Sequence, residues 1–147
     1  MRVVIAGGRE KDGLIYGYTP RQMMKHVNLA MEKAGYWGPA PDQEATIDEV
    51  VSGGATGIDL LGEDWALYQL VPCKRFPAEW RNKGIYDKAA GIRRNIQMGD
   101  YVANSEGGGG LVAIWNGRSP GTGHMIKYAT KLKLKAYIYI VEDKAKI

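Results

Sequence analysis

Along this chain, short β-branched or apolar runs end repeatedly in a glycine turn and pass straight into residues of helical periodicity. "RVVIAG", Arg2 to Gly7, is the kind of apolar run that lies buried on both faces of a parallel sheet. After the loop "GREKDGLIYGY", Thr19 and Pro20 supply an N-cap and a first-turn proline. Met23, Met24, Val27, Ala30, Met31 and Ala34 then recur at helical spacing as far as Gly35. A second strand, Ile47 to Ser52, leads through "SGGATG" into a helix whose buried stripe is Leu60, Leu61, Trp65, Ala66 and Leu70. Further strands are expected at Val71 to Phe76, Gly110 to Trp115 and Lys135 to Val141, separated by helices in "AAGIRRNIQMGDYVA" and "GTGHMIKYA". This alternation predicts an α/β fold: a doubly wound, mainly parallel five-stranded Rossmann-like sheet with helices on both faces and "RVVIAG" at its centre.

The 147 residues suit a single domain spanning 1–147. "YWGPAPDQEAT" reads as an inserted surface loop, and "GGGG", Gly107 to Gly110, as a flexible turn at the amino edge of the sheet. No apolar run approaches the roughly 20 residues of a membrane-spanning helix, and the amino terminus becomes glycine-rich too soon for a signal peptide. A cytoplasmic protein without membrane contact is expected. Cys73 is the only cysteine, which excludes an internal disulfide and a cysteine-rich zinc site; it is read as a buried strand residue. Asp12 and Asp100 lack metal-ligand partners at recognisable spacing, so no metal is expected. The net charge of +4 favours anionic partners, but no basic run carries the interleaved aromatics that grip single-stranded nucleic acid.

In a doubly wound sheet, ligands bind beyond the carboxyl ends of the strands, where the strand order reverses. The glycine turns all fall at that edge, so loops distant in sequence should wall one cleft. In "SGGATGID" the residues Ser52, Gly53, Gly54, Thr56, Gly57 and Asp59 precede a helix whose first N–H groups attract anions; a tight turn and a phosphate cradle are equal readings. Ile58 stands where a Walker A loop needs lysine, which argues against ATP hydrolysis by that route. "GRSPGTGHM" repeats the logic with Ser119, Gly121, Thr122, Gly123 and His124. Gly8 and Arg9 follow the first strand, and Arg93, Arg94 and Asn95 stand near a helix start. Adjacent arginines on a helix diverge, so at most one of the pair is expected to face the cleft, the other being read as an ion-pair partner. Trp80 either stacks on a base or packs its loop against the sheet.

Taken in order, "VVIAGGRE", "VVSGGATGIDLLGEDWA", "FPAEW", "AAGIRRNIQM" and "GLVAIWNGRSPGTGHMIKYA" resemble the YspA-type branch of the SLOG superfamily over nearly the whole chain. The resemblance implies a Rossmann-like domain that binds a nucleotide or nucleotide-derived ligand, commonly as a homo-oligomer. It also relates the chain to the LOG phosphoribohydrolases and to the DNA-processing protein that binds single strands. LOG enzymes carry P-G-G-x-G-T-x-x-E; matching its Gly-Thr to Gly121 and Thr122 places Met125 at the glutamate, and a thioether transfers no proton.

The expected function is therefore binding, to sense or sequester a nucleotide-derived small molecule with no further cofactor; in a phage, such a protein would act as a sponge for a defence-signalling nucleotide. The alternatives are a hydrolase of N-glycosidic or phosphate bonds, with Asp59 or Glu63 as base and His124 assisting, and single-stranded nucleic-acid binding.

Overall fold

In a computed structural model describing residues 1–36 and 47–144, the chain forms, in order, β1 (Arg2–Gly7), α1 (Pro20–Lys33), β2 (Glu49–Ser52), α2 (Ile58–Tyr68), β3 (Cys73–Arg75), β4 (Arg81–Asn82), β5 (Ile85–Tyr86), α3 (Ala90–Ala103), β6 (Gly109–Trp115), α4 (Pro120–Lys131) and β7 (Lys135–Ile140). A five-stranded sheet runs in the order β3-β2-β1-β6-β7, and every pairing in it is parallel. The Rossmann-like α/β architecture expected from the repeats is the one formed, with β1 central. The loop expected at "YWGPAPDQEAT" lies, from residue 37 to 46, outside the described residues.

Period-two alternation along β1 divides the core between two faces. Val3 and Ile5 pack with Met23, Val27 and Met31 of α1 and with Ile58, Leu61 and Trp65 of α2. Val4 and Ala6 point the other way, onto Met98 and Val102 of α3 and Met125 and Ala129 of α4. With helices on both sides, β1 has no solvated face, and so it reads as an unbroken apolar run. Thr19 begins α1 through a capping box in which its hydroxyl accepts from the Gln22 N–H while the Gln22 side chain accepts from the Thr19 N–H. Among the described residues no helix is long and apolar enough to cross a membrane.

Several local expectations need correction. Cys73 is exposed rather than buried, because β3 is a three-residue edge strand paired only with β2. Partial desolvation and the nearby Glu63 carboxylate still push its thiol up to about 11, which leaves little thiolate for nucleophilic chemistry. Leu70 is 89% exposed and Leu60 only half-buried, since α2 ends at Tyr68 and Leu70 turns into the left-handed region at φ 57°. The "GGGG" run is a turn only at Gly107 and Gly108. Gly109 and Gly110 are buried residues of β6, and a Cβ on Gly109 would lie 2.4 Å from the Val102 carbonyl oxygen. The loop after β3 holds an unanticipated hairpin, β4 paired with β5 around Lys83 and Gly84.

Two glycine substitutions test this packing with opposite signs. Gly109→Ala should lower unfolding free energy by about 1–3 kcal/mol through overpacking against α3. Gly121→Ala, whose Cβ meets nothing within 4 Å in the first turn of α4, should leave stability unchanged or raise it by up to about 1 kcal/mol. Urea denaturation of both variants measures the contrast.

Candidate functional site

At the carboxyl ends of β1 and β6 lies a cleft of about 500 Å³. The turn after β1 contributes Gly7, Gly8 and Arg9, and the approach to α2 contributes Ala55 and Asp59. Trp80 closes one side. Helix α3 and the residues ahead of it supply Lys88, Gly91, Ile92, Arg94, Asn95 and Met98, and α4 supplies Ser119, Gly121, Thr122, His124 and Met125. Of the residues singled out from sequence, Gly8, Arg9, Asp59, Trp80, Arg94, Asn95, Ser119, Gly121, Thr122 and His124 meet in this one space. Ser52, Gly53, Gly54, Thr56, Gly57, Glu63, Arg93 and Gly123 do not line it.

Several donors in and just after the "SGGATG" turn are taken by protein groups. The Gly54 N–H donates to the Ser52 hydroxyl at 3.0 Å, the Ala55 N–H to the Asp59 carboxylate at 3.2 Å and the Ile58 N–H to the Gly8 carbonyl at 3.0 Å. The Glu10 N–H reaches the Thr56 carbonyl at 3.2 Å, so this turn braces the turn after β1. Ser52 is buried and donates to Glu63 at 2.6 Å, while Arg75 grips both Glu63 oxygens at 3.0 and 2.6 Å. Burial alone would raise the Glu63 carboxyl, but the Arg75 and Ser52 hydrogen bonds prevail and hold it below its ordinary value. Committed to Arg75 outside the cleft, Glu63 is poorly placed as a base. Arg93 is exposed and ion-paired with Asp87.

Arg94 and Asp59 form the buried polar centre. Arg94 is 9% exposed, and its Nη1 donates to the Gly53 carbonyl at 2.7 Å. Among the described residues, its buried Nε has no partner and its Nη2 makes no hydrogen bond. Both groups press on Gly53: a Cβ there would lie 2.3 Å from Nη1 and 2.7 Å from a carboxylate oxygen of Asp59. Burial pushes the Asp59 carboxyl from 3.8 up to about 6, against the downward pull of Arg94, the Ala55 N–H and Arg9. Burial lowers Arg94 from the ordinary guanidinium value, with Asp59 opposing, and leaves it a cation.

Helices α3 and α4 both start at the cleft without side-chain caps. The Ser119 hydroxyl donates instead to Asn116 Oδ1 at 3.2 Å. The first intrahelical donor of α4 is the Gly123 N–H, reaching Ser119, and that of α3 is the Arg93 N–H, reaching Ala89. Among the described residues, the N–H groups of Gly121 and Thr122, and of Gly91 and Ile92, therefore have no partner beside the cavity, where they and the helix dipoles favour negative charge. Asn95 links the helices, its Nδ2 lying 3.1 Å from the Gly121 carbonyl and 3.2 Å from His124 Nδ1. The remaining wall is apolar. Trp80 stacks with Tyr86 at 6.1 Å and 13°, carries the Arg9 guanidinium 4.9 Å from its ring centre, and sits over Gly91, beside Ile92, Met98 and Met125.

Sequence reasoning missed Lys88, Gly91, Ile92 and Met98, although with Asn95 they follow helical spacing and mark the cleft-facing side of α3. Tyr16 carried no such signal. It comes from the irregular β1–α1 loop at φ 52°, and its hydroxyl donates to the Ile114 carbonyl at 2.8 Å, beneath the start of α4. Among the described residues no group of His, Cys, Asp and Glu could hold a metal ion. Comparison of the chain with family models, with curated proteins and with solved structures returns no match.

The Asp59 shift makes a signed prediction. Between pH 3.8 and about 6 the folded state holds a proton that the unfolded state has lost, so stability falls as pH rises through that window and stays lower above it. In Asp59→Asn this part of the decline should vanish when unfolding free energy is measured from about pH 4 to 7. An unchanged slope would mean that another group causes it.

Proposed function

We propose that the cleft binds a nucleotide or nucleotide-derived ligand and that the protein senses or sequesters it. The observation that carries this reading is the meeting, within about 500 Å³, of a cationic wall rich in hydrogen-bond donors and an apolar wall. Arg94 and the unpaired amides of α3 and α4 suit phosphate oxygens, and Trp80, Ile92, Met98 and Met125 suit a base. The resemblance to the SLOG superfamily points the same way, and the exposed Arg9 adds another cation to the lining. Met125, which packs into the core and also lines the cleft, offers no proton for LOG-type cleavage.

A hydrolase is the second reading. Asp59 favours it, since a buried cleft carboxyl titrating at about 6 is suited to proton transfer near neutrality. Incubation with nucleotide pools separates the two: unaltered, stoichiometrically retained ligand supports sequestration, and turnover supports the enzyme.

The edge strand β7 supports assembly into a homo-oligomer. Among the described residues its outer backbone edge is unpaired, and Ile138 and Ile140 are exposed on one face. Antiparallel pairing with a second copy would extend the sheet, so Ile138→Lys should shift the sedimentation coefficient toward the monomer.

Isothermal titration should show adenosine 5′-monophosphate binding more tightly than adenosine, because only the former carries the anion. Arg94→Lys keeps the charge but loses the planar fork, and should weaken binding about tenfold while remaining folded. Equal affinity for nucleoside and nucleotide would contradict the proposed cleft. Steep, salt-dependent binding to oligonucleotides would instead favour a single-strand binder.

A further inference from the structure

One hydrogen-bond triangle in the cleft wall can be satisfied in a single way. The Gly121 carbonyl, 3.1 Å from Asn95 Nδ2, only accepts, so the side of the Asn95 amide turned toward it must be the NH2 group. That same NH2 directs its second proton at His124 Nδ1, 3.2 Å away. Nδ1 therefore accepts, and an imidazole that accepts at Nδ1 carries its proton on Nε2. Asn95 is 6% exposed and lies between two helices, so water offers it little alternative.

We propose that Asn95 is a positioning residue that locks His124 as the Nε2–H tautomer, making His124 a hydrogen-bond donor to an oxyanion of the ligand. The ligand half of this assignment rests on the cleft reading above; the tautomer itself does not. Nε2 of His124 has no partner among the described residues. It joins the unpaired amides of Gly121 and Thr122 and the Nη2 of Arg94, all of them donors. Donors clustered at this part of the cleft favour a group rich in lone pairs, so a phosphoryl or carboxylate oxygen fits there better than an ammonium, which only donates. Asn95 thereby acts on specificity through His124 without being required to touch the ligand. The lock also bears on hydrolysis: with a proton already on Nε2, His124 does not accept one there, and Asp59 is left as the cleft's proton acceptor.

Nitrogen-15 NMR of the ligand-free protein near pH 8, with the His124 signal assigned by its loss in His124→Asn, reads the tautomer directly. The expected result is a proton-bearing Nε2 and a bare Nδ1. Asn95→Asp should reverse the pattern, since a carboxylate only accepts. A native protein with the proton on Nδ1, or an even mixture, overturns the lock.

The ligand half is read by titrating adenosine 5′-monophosphate into a double-mutant cycle. Asn95→Ala should weaken binding about tenfold in the native background and by less than about twofold in His124→Ala. Equal losses in both backgrounds would show that Asn95 acts only through the Gly121 carbonyl, and would overturn the role given to His124. Failure of the native protein to bind the nucleotide would contradict the cleft reading, and the tautomer spectrum would still decide the Asn95–His124 assignment.

Discussion

The pairing of β1 with β6 sets Arg2 beside Gly109 and Gly7 beside Ile114, so the two central strands end at one level. From there the chain leaves in opposite directions: β1 feeds α1 on one face of the sheet, and β6 feeds α4 on the other. The cleft opens at this point, beyond the ends of the two strands. Its depth depends on the apolar ladder beneath it. Val3, Ile5, Val112 and Ile114 on one face, and Val4, Leu111 and Ala113 on the other, hold the strand ends rigid under the loops.

The two glycine turns that look alike in sequence do different work. In "SGGATG" the Gly54 and Ala55 amides donate to Ser52 and Asp59, and the following Ile58 amide donates to Gly8, which ties the second strand's turn to the first. "SPGTG" leaves its amides at Gly121 and Thr122 without a partner among the described residues, because Ser119 turns its hydroxyl to Asn116 and proline takes the first helical position. One turn is a brace that fixes Asp59 and Arg94 around Gly53. The other leaves two amides at the cleft without a partner among the described residues.

The sheet was legible because a strand covered on both faces must be apolar throughout and must turn sharply to reach its helix; "RVVIAG" and "GLVAIW" show both properties. The edges were less legible. Nothing local to Val71–Phe76 distinguishes a buried strand from an edge of three residues, which left Cys73 misplaced. Within the cleft, sequence spacing placed Arg94, Asn95 and His124 near helix starts. It could not place Glu63 against Arg75 or Asn95 between Gly121 and His124, because those partners lie 12 to 29 residues away and meet only when the helices pack. Tyr16 was hidden for the same reason, its hydroxyl meeting Ile114 across the sheet's edge.

The central claim is that an anion sits where α3 and α4 begin, against Arg94. Amide chemical shifts of the protein titrated with adenosine 5′-monophosphate test it most directly. The account predicts that the largest changes fall on Gly121, Thr122, Gly91 and Ile92, with the Arg94 Nε–H signal moving at the same midpoint. Changes confined to other surfaces, such as the lysines flanking β7, with those signals unmoved, would contradict it.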